Sequence, residues 1–141
     1  MSNQNTFDAI IIGAGSLGTP TAFYLAKSGL KVRGLESVPS VGQGSNKRAI
    51  GGIRATHSDP AKIRLCLRSI EIFSTFKETF GKDIEWDQCG YTFVAYSPRE
   101  EKILKDLLAV QKPYGLINDW YEKDDLLKIV PDLSTDGLIG G

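Results

Sequence analysis

The sequence predicts an α/β chain: a parallel strand–helix–strand unit comes first, and the start of an α+β region follows it. Three observations lead there. Residues 8–12 are apolar and largely β-branched, and they run into a turn with three glycines. A helical pattern and a second short strand ending in an acid come next. Beyond residue 58, stretches of helical periodicity alternate with aromatic segments of strand character.

The first strand, Asp8-Ala9-Ile10-Ile11-Ile12, lacks the polar alternation of a half-exposed strand, so burial on both faces is expected. Gly13-Ala14-Gly15-Ser16-Leu17-Gly18 then fits G-x-G-x-x-G. Gly13 permits the tight turn, Gly15 leaves room for a pyrophosphate against the backbone, and Gly18 lets the helix approach the strand. The helix is expected over residues 17–27, with Ala22, Leu25 and Ala26 toward the strand and Gly29 as its stop. Pro20 falls in the first turn, where a missing N–H has no intrahelical partner to lose. A second strand over residues 31–35 leads to Glu36, eighteen residues beyond Gly18, where a carboxylate can accept from adenosine ribose hydroxyls. Strand, glycines, helix and acid in that order point to a Rossmann-like dinucleotide-binding unit, with the helix start favouring a phosphate. Glu36 would repel a 2′-phosphate, which leaves FAD or NAD rather than NADP. The competing reading is a tight βα turn that binds nothing.

These residues, together with Val32 and Leu35-Glu36, resemble the opening of the FAD-dependent amine and amino-acid oxidoreductases of the D-amino-acid oxidase type, which include glycine oxidase and the sarcosine oxidase β subunit. Gly42-Gln43-Gly44-Ser45-Asn46-Lys47-Arg48-Ala49-Ile50-Gly51-Gly52-Ile53-Arg54 resembles the same family's G-x-S…G-G-x-R loop, which lies along the pyrophosphate and under the flavin ring. The resemblance implies FAD as cofactor, and that loop favours it over NAD. It implies FAD contacts at Gly13, Ala14, Gly15, Ser16, Leu17, Gly18, Glu36, Ser37, Gly44, Ser45, Lys47, Arg48, Ala49, Gly51, Gly52 and Ile53. Gly34 departs from the aliphatic residue usual before Leu-Glu. A complete member of the family is more than twice as long, because its FAD domain is discontinuous. The chain is therefore expected to be an N-terminal fragment. Residues 1–81 would be the first part of the FAD domain, and residues 82–141 a partial substrate domain and the return to the FAD domain.

The loop of residues 37–52 is small, polar and too long for a simple connection; Lys47 and Arg48 make it locally positive, matching an anionic cofactor. Ser58-Asp59-Pro60 announces a helix that carries Ile63, Cys66, Leu67, Ile70, Phe73, Phe76 and Phe80 on one face and stops at Gly81. Residues 84–86 and 91–96 read as two strands paired antiparallel. Ser97-Pro98-Arg99-Glu100 is a capping box for a helix with Ile103, Leu104, Leu107 and Leu108 on one face, ending near residues 113–115. Trp120-Tyr121 reads as a short strand, and residues 124–130 as a short helix stopped by Pro131. In the resembling family such a helix, followed by Pro-x-Leu as in Pro131-Asp132-Leu133, comes just before the return to the FAD domain.

Composition narrows the function further. Seventeen basic and seventeen acidic residues cancel, and no basic patch or charged tail points to nucleic acid. Residues 1–5 lack the features of a signal peptide, and no apolar stretch approaches a membrane span. Cys66 and Cys89 form no metal or redox spacing, so a cytoplasmic protein with reduced thiols and no metal is expected. No nucleophile triad or paired-acid site is visible, as expected where a flavin carries the chemistry. Arg54 is the first catalytic candidate, for a substrate carboxylate or a reduced, anionic flavin, the competing reading being a structural ion pair. His57, the only histidine, is the second, for a catalytic or covalent-flavin role, the competing reading being a structural or surface residue. The expected partners are a small amine or amino-acid substrate and a complementary polypeptide or second copy of the chain. The competing function class is a non-catalytic nucleotide-binding or interaction module.

Overall fold

The computed structural model describes residues 6–141, and the reading of residues 1–5 lies outside the described residues. By packing, the chain forms two units, one ending at Gly52 and the other spanning Ile53–Gly141. The boundary expected after residue 81 is a different division, drawn from the resemblance and not from packing.

The first unit is the strand–helix–strand element: β1 (Ala9–Ile12), α1 (Gly18–Lys27) and β2 (Val32–Leu35). The strands pair in parallel, with Ala9 opposite Val32 and Ile12 opposite Leu35. Gly13 extends the ladder by donating to the Leu35 carbonyl at 2.8 Å, and then turns at φ 93°, which a side chain would resist. α1 ends in a Schellman motif: Gly29 N–H bonds the Ala26 carbonyl, Leu30 N–H bonds the Leu25 carbonyl, and Gly29 sits at φ 88°.

Burial of β1 on both faces is not observed. Ala9 and Ile11 are half-buried, while Ile10 and Ile12 are 58% and 87% exposed. A parallel strand is buried twice only when layers cover both faces, and here α1 packs against one of them.

The second unit holds α2 (Pro60–Ser74), α3 (Phe76–Phe80), α4 (Pro98–Gln111) and α5 (Lys123–Ile129). Asp59 caps α2 as expected, accepting from Lys62 N–H at 2.9 Å. The single helix expected through Phe80 is instead broken at Thr75. The hydroxyls of Ser74 and Thr75 both turn back onto the Glu71 carbonyl, competing with the helical ladder at that point. Ile63 is fully buried, and Cys66, Leu67, Ile70, Phe73 and Phe76 are half-buried along the expected stripe. Gly81, at φ 65°, ends α3.

The antiparallel pairing of residues 84–86 with 91–96 does not form. Asp83 accepts from Glu85 N–H, and Glu85 takes φ 55°, which bends the first segment out of extended geometry. Ala95 pairs instead across long sequence distance, donating to Gly140 and accepting from Ile139 at 2.8 and 2.9 Å. Tyr121 and Gly141 exchange two further bonds, so Gly140 bridges Ala95 on one side and Glu122 on the other. The strand expected at Trp120-Tyr121 is reduced to that bridge. Ala55, Ile63, Ala95, Leu126 and Leu138 are the buried apolar residues of this unit.

The capping box of α4 closes with a small shift. Ser97 Oγ accepts from Glu100 N–H, while the Glu100 carboxylate accepts from the Tyr96 N–H and the Ser97 hydroxyl. Among the described residues no helix is long and apolar enough to cross a membrane, and no group of three or more His, Cys, Asp or Glu could hold a metal ion.

Candidate functional site

In the first unit the Ala14 peptide joins three predicted pieces of the site. Its N–H donates to Glu36 Oε2 at 2.7 Å, and its carbonyl accepts from Gly42 N–H at 2.9 Å. The glycine turn, the acid after β2 and the following loop therefore converge. Gly18 is required by packing: a Cβ there would lie 1.8 Å from the Gly13 carbonyl oxygen and 3.3 Å from Ile11 Cγ2. Gly15 is different, because a Cβ there meets none of the described residues within 4 Å. The N–H groups of Gly15, Ser16, Leu17 and Gly18 make no hydrogen bond among the described residues; the ladder starts with Thr19 N–H on the Gly15 carbonyl. Four free donors and the positive end of α1 thus border open space, the arrangement a diphosphate fits.

The Glu36 carboxylate is held at both oxygens. Among the described residues Oε1 accepts from Ser37 N–H, Val38 N–H and the Ser37 hydroxyl, and Oε2 from Ala14 alone, leaving Oε2 a lone pair for a ribose hydroxyl. The Ala14 N–H first, and then those of Val38 and Ser37, hold its pKa below the usual glutamate value. A depressed pKa stabilises the fold above the unfolded value and loses that contribution as pH falls through the lower, folded one. Protection of the Ala14 amide against hydrogen exchange, taken relative to its intrinsic rate at each pH, is therefore expected to hold from neutrality down to about pH 5 and to fall only below the ordinary glutamate range. In Glu36→Gln, the same acid-side loss of protection would contradict this assignment.

The loop candidates follow. Residues Ser45–Arg48 form a 3₁₀ turn after Gly44 and lead into extended Ala49. Lys47 Nζ bonds Gln43 Oε1 at 3.1 Å, and Arg48 is exposed. Gly51 adopts φ 77°; Gly52 closes the first unit and Ile53 begins the second.

Arg54 and His57 lie in the second unit. The exposed Arg54 guanidinium sits 5.2 Å from the Phe93 ring centroid and 5.9 Å from that of Tyr91. Those two rings stack on one another at 6.3 Å. His57 is half-buried, and its backbone carbonyl accepts from Gln111 Nε2 at 3.1 Å. Gln111 is 3% exposed and its amide oxygen accepts from Asn118, so both polar atoms of the buried side chain have a partner. The Thr56 hydroxyl between Arg54 and His57 is buried with no partner among the described residues. Sequence reasoning missed both supports of this segment. Tyr91 and Phe93, two residues apart in a run whose composition reads as a strand, carried a detectable signal; Gln111, 54 residues from its acceptor, carried none.

Residues 8–141 match the family described as FAD dependent oxidoreductase. Monomeric sarcosine oxidase of Streptomyces avermitilis is 36% identical over 84 residues, covering 56% of this chain and 21% of that protein. Glycine oxidase of Bacillus licheniformis is 28% identical over 144 residues, covering 97% of this chain and 37% of that protein. Among solved structures, L-proline dehydrogenase from P. horikoshii matches with a TM-score of 0.85 and 30% identity, over 96% of this chain and 35% of that one. The chain thus spans between 21% and 37% of the length of these relatives. With nearly all of its residues inside the family match, and with the glycine turn, free helix terminus and acid in place, the chain belongs to the DAO family of FAD-dependent oxidoreductases.

Proposed function

We propose that the chain is the FAD-binding N-terminal portion of an oxidoreductase that oxidises a C–N bond of an amine or amino acid by hydride transfer to flavin. The observation that carries this reading is the row of four unbonded N–H groups at residues 15–18 beside the open face of Gly15. In this reading residues 13–18 hold the diphosphate, Glu36 and Ser37 hold the ribose, and Gly44, Ser45, Lys47, Arg48, Ala49, Gly51, Gly52 and Ile53 line the remainder of the cofactor. FAD, when bound, supplies the two-electron acceptor. The chain's own residues bind and orient: Arg54 offers a planar fork to a substrate carboxylate, and His57 stands three residues away. Support for a C–N substrate comes from the names of the similar proteins, a sarcosine oxidase, a glycine oxidase and an L-proline dehydrogenase.

The fragment reading has its own support. None of the described residues up to Gly52 is buried, and Ile12 and Leu17 are 87% and 83% exposed. A two-stranded sheet with so little covered apolar surface calls for further strands, from a complementary polypeptide or a second copy. Residues 1–81 then belong to an FAD domain, and residues 82–141 to a substrate domain and the return from it. Free Cys66 and Cys89 fit a reducing cytoplasm.

The test is the visible spectrum of the flavin-loaded assembly, recorded without oxygen while amino acids, amines and glycerol 3-phosphate are added in turn. Bleaching by an amino acid or amine is the expected result. Bleaching by the alcohol alone would move the reading to C–O oxidation, and an assembly that never retains flavin would favour the non-catalytic module. In steady-state kinetics Arg54→Ala is expected to raise KM for an amino acid by at least about tenfold, with Arg54→Lys in between. Parent-like turnover by both variants would remove Arg54 from the site.

A further inference from the structure

Arg54 lies over two aromatic rings and makes no ion pair among the described residues. We propose that Tyr91 and Phe93 are positioning residues that hold the Arg54 guanidinium ready for the carboxylate of an amino-acid substrate. The proposal rests on the reading of Arg54 as an anion-binding residue.

The rings of Tyr91 and Phe93, two residues apart, lie on one side of the chain and stack with an interplanar angle of 18°. Their faces together present a broad, electron-rich surface to the guanidinium. An arginine balanced by a carboxylate would have its fork filled. Balanced by ring faces, it keeps its in-plane N–H donors for a planar anion. The rings also restrict a long side chain that would otherwise have to be ordered when the ligand binds.

Both sides of the contact are anchored through their backbones. After Arg54 the chain passes through Ala55, 5% exposed, and His57, whose carbonyl Gln111 grips. After Phe93 it passes into Ala95, fully buried and hydrogen-bonded to Gly140 and Ile139. The arginine and its platform are therefore held in register by separate long-range bonds. Arg54 itself is exposed, and Tyr91 remains 47% exposed, so an anion can reach the pair from solvent.

The test labels the full chain with phenylglyoxal, reads modification at Arg54 by peptide mass spectrometry, and titrates benzoate as a protecting carboxylate; Arg99 is the internal control. In the parent, benzoate is expected to protect Arg54 and not Arg99. In Phe93→Leu the midpoint of protection should rise about two- to fivefold, and Phe93→Tyr, which keeps a ring face, should restore it. A general loss of packing would not be repaired in that way. Should Phe93→Leu fail to fold, Tyr91→Leu at the more exposed ring is read by the same criteria. Equal protection in parent and leucine variants overturns the positioning role while leaving Arg54 as an anion site. An unprotected Arg54 in the parent overturns the reading of Arg54, and this proposal with it.

Discussion

Gly18→Ala is expected to displace α1 from β1 and to weaken FAD binding by at least about tenfold. Alanine normally improves a helix by at most about 1 kcal/mol over glycine, and less in its first turn. Against that gain stands a Cβ placed 1.8 Å from the Gly13 carbonyl oxygen, a backbone atom that cannot rotate away. Overpacking of this kind costs about 1–3 kcal/mol, so the clash wins. The displaced helix would carry the N–H groups of residues 15–18 with it, which links the packing defect to the cofactor. Gly34→Ala is the control, because its Cβ meets nothing within 4 Å and its φ is ordinary. Flavin titration of the complemented protein checks both. Parent-like affinity in Gly18→Ala would show that the turn is not the cofactor's support.

Gly140→Ala is expected to destabilise the second unit by about 1–3 kcal/mol. Its Cβ would lie 2.5 Å from the Tyr121 carbonyl oxygen and 2.6 Å from Trp120 Cζ2. No positive φ is involved at this glycine, so the argument is purely one of space. Relief requires opening a junction that bonds Ala95 on one side and faces Glu122 on the other. Hydrogen exchange at the Ala95 and Tyr121 amides should accelerate together, and the melting temperature should fall by roughly 4–8 °C per kcal/mol for a unit of this size. Exchange at Tyr121 alone would mean that the two bridges are independent.

The difference between these two glycines shows what the sequence could carry. Gly18 was legible because a strand, a tight turn and a helix in a fixed short order leave one geometry for a small residue there. The parallel pairing of β1 with β2 and the helix stop at Gly29 follow from similarly local patterns. Gly140 was not legible, since its neighbours Ala95 and Tyr121 are brought to it by packing across distant parts of the chain. The same limit explains the misplaced pairing of residues 84–86 with 91–96: β-propensity marks a segment that can extend, and tertiary contacts choose its partner. The break at Thr75 lay in plain sight as Ser74-Thr75, but an apolar stripe continuing to Phe80 outweighed it. At the candidate site, the glycines and Glu36 were readable by spacing. The Ala14 peptide's double tie and the aromatic support of Arg54 depend on side-chain geometry that spacing does not encode.

The exposed isoleucines of β1 bear on the central claim, that this chain carries the ADP-binding start of a flavoenzyme and needs further polypeptide to complete it. The direct measurement is FAD titration, with light scattering, of the purified 141-residue chain alone and of the chain co-expressed with a polypeptide corresponding to the remainder of a family member. The account expects weak or no FAD binding and self-association for the chain alone, and a stoichiometric flavin spectrum once the second polypeptide is present. A monodisperse monomer of the chain alone that holds stoichiometric flavin and oxidises an amine would contradict it.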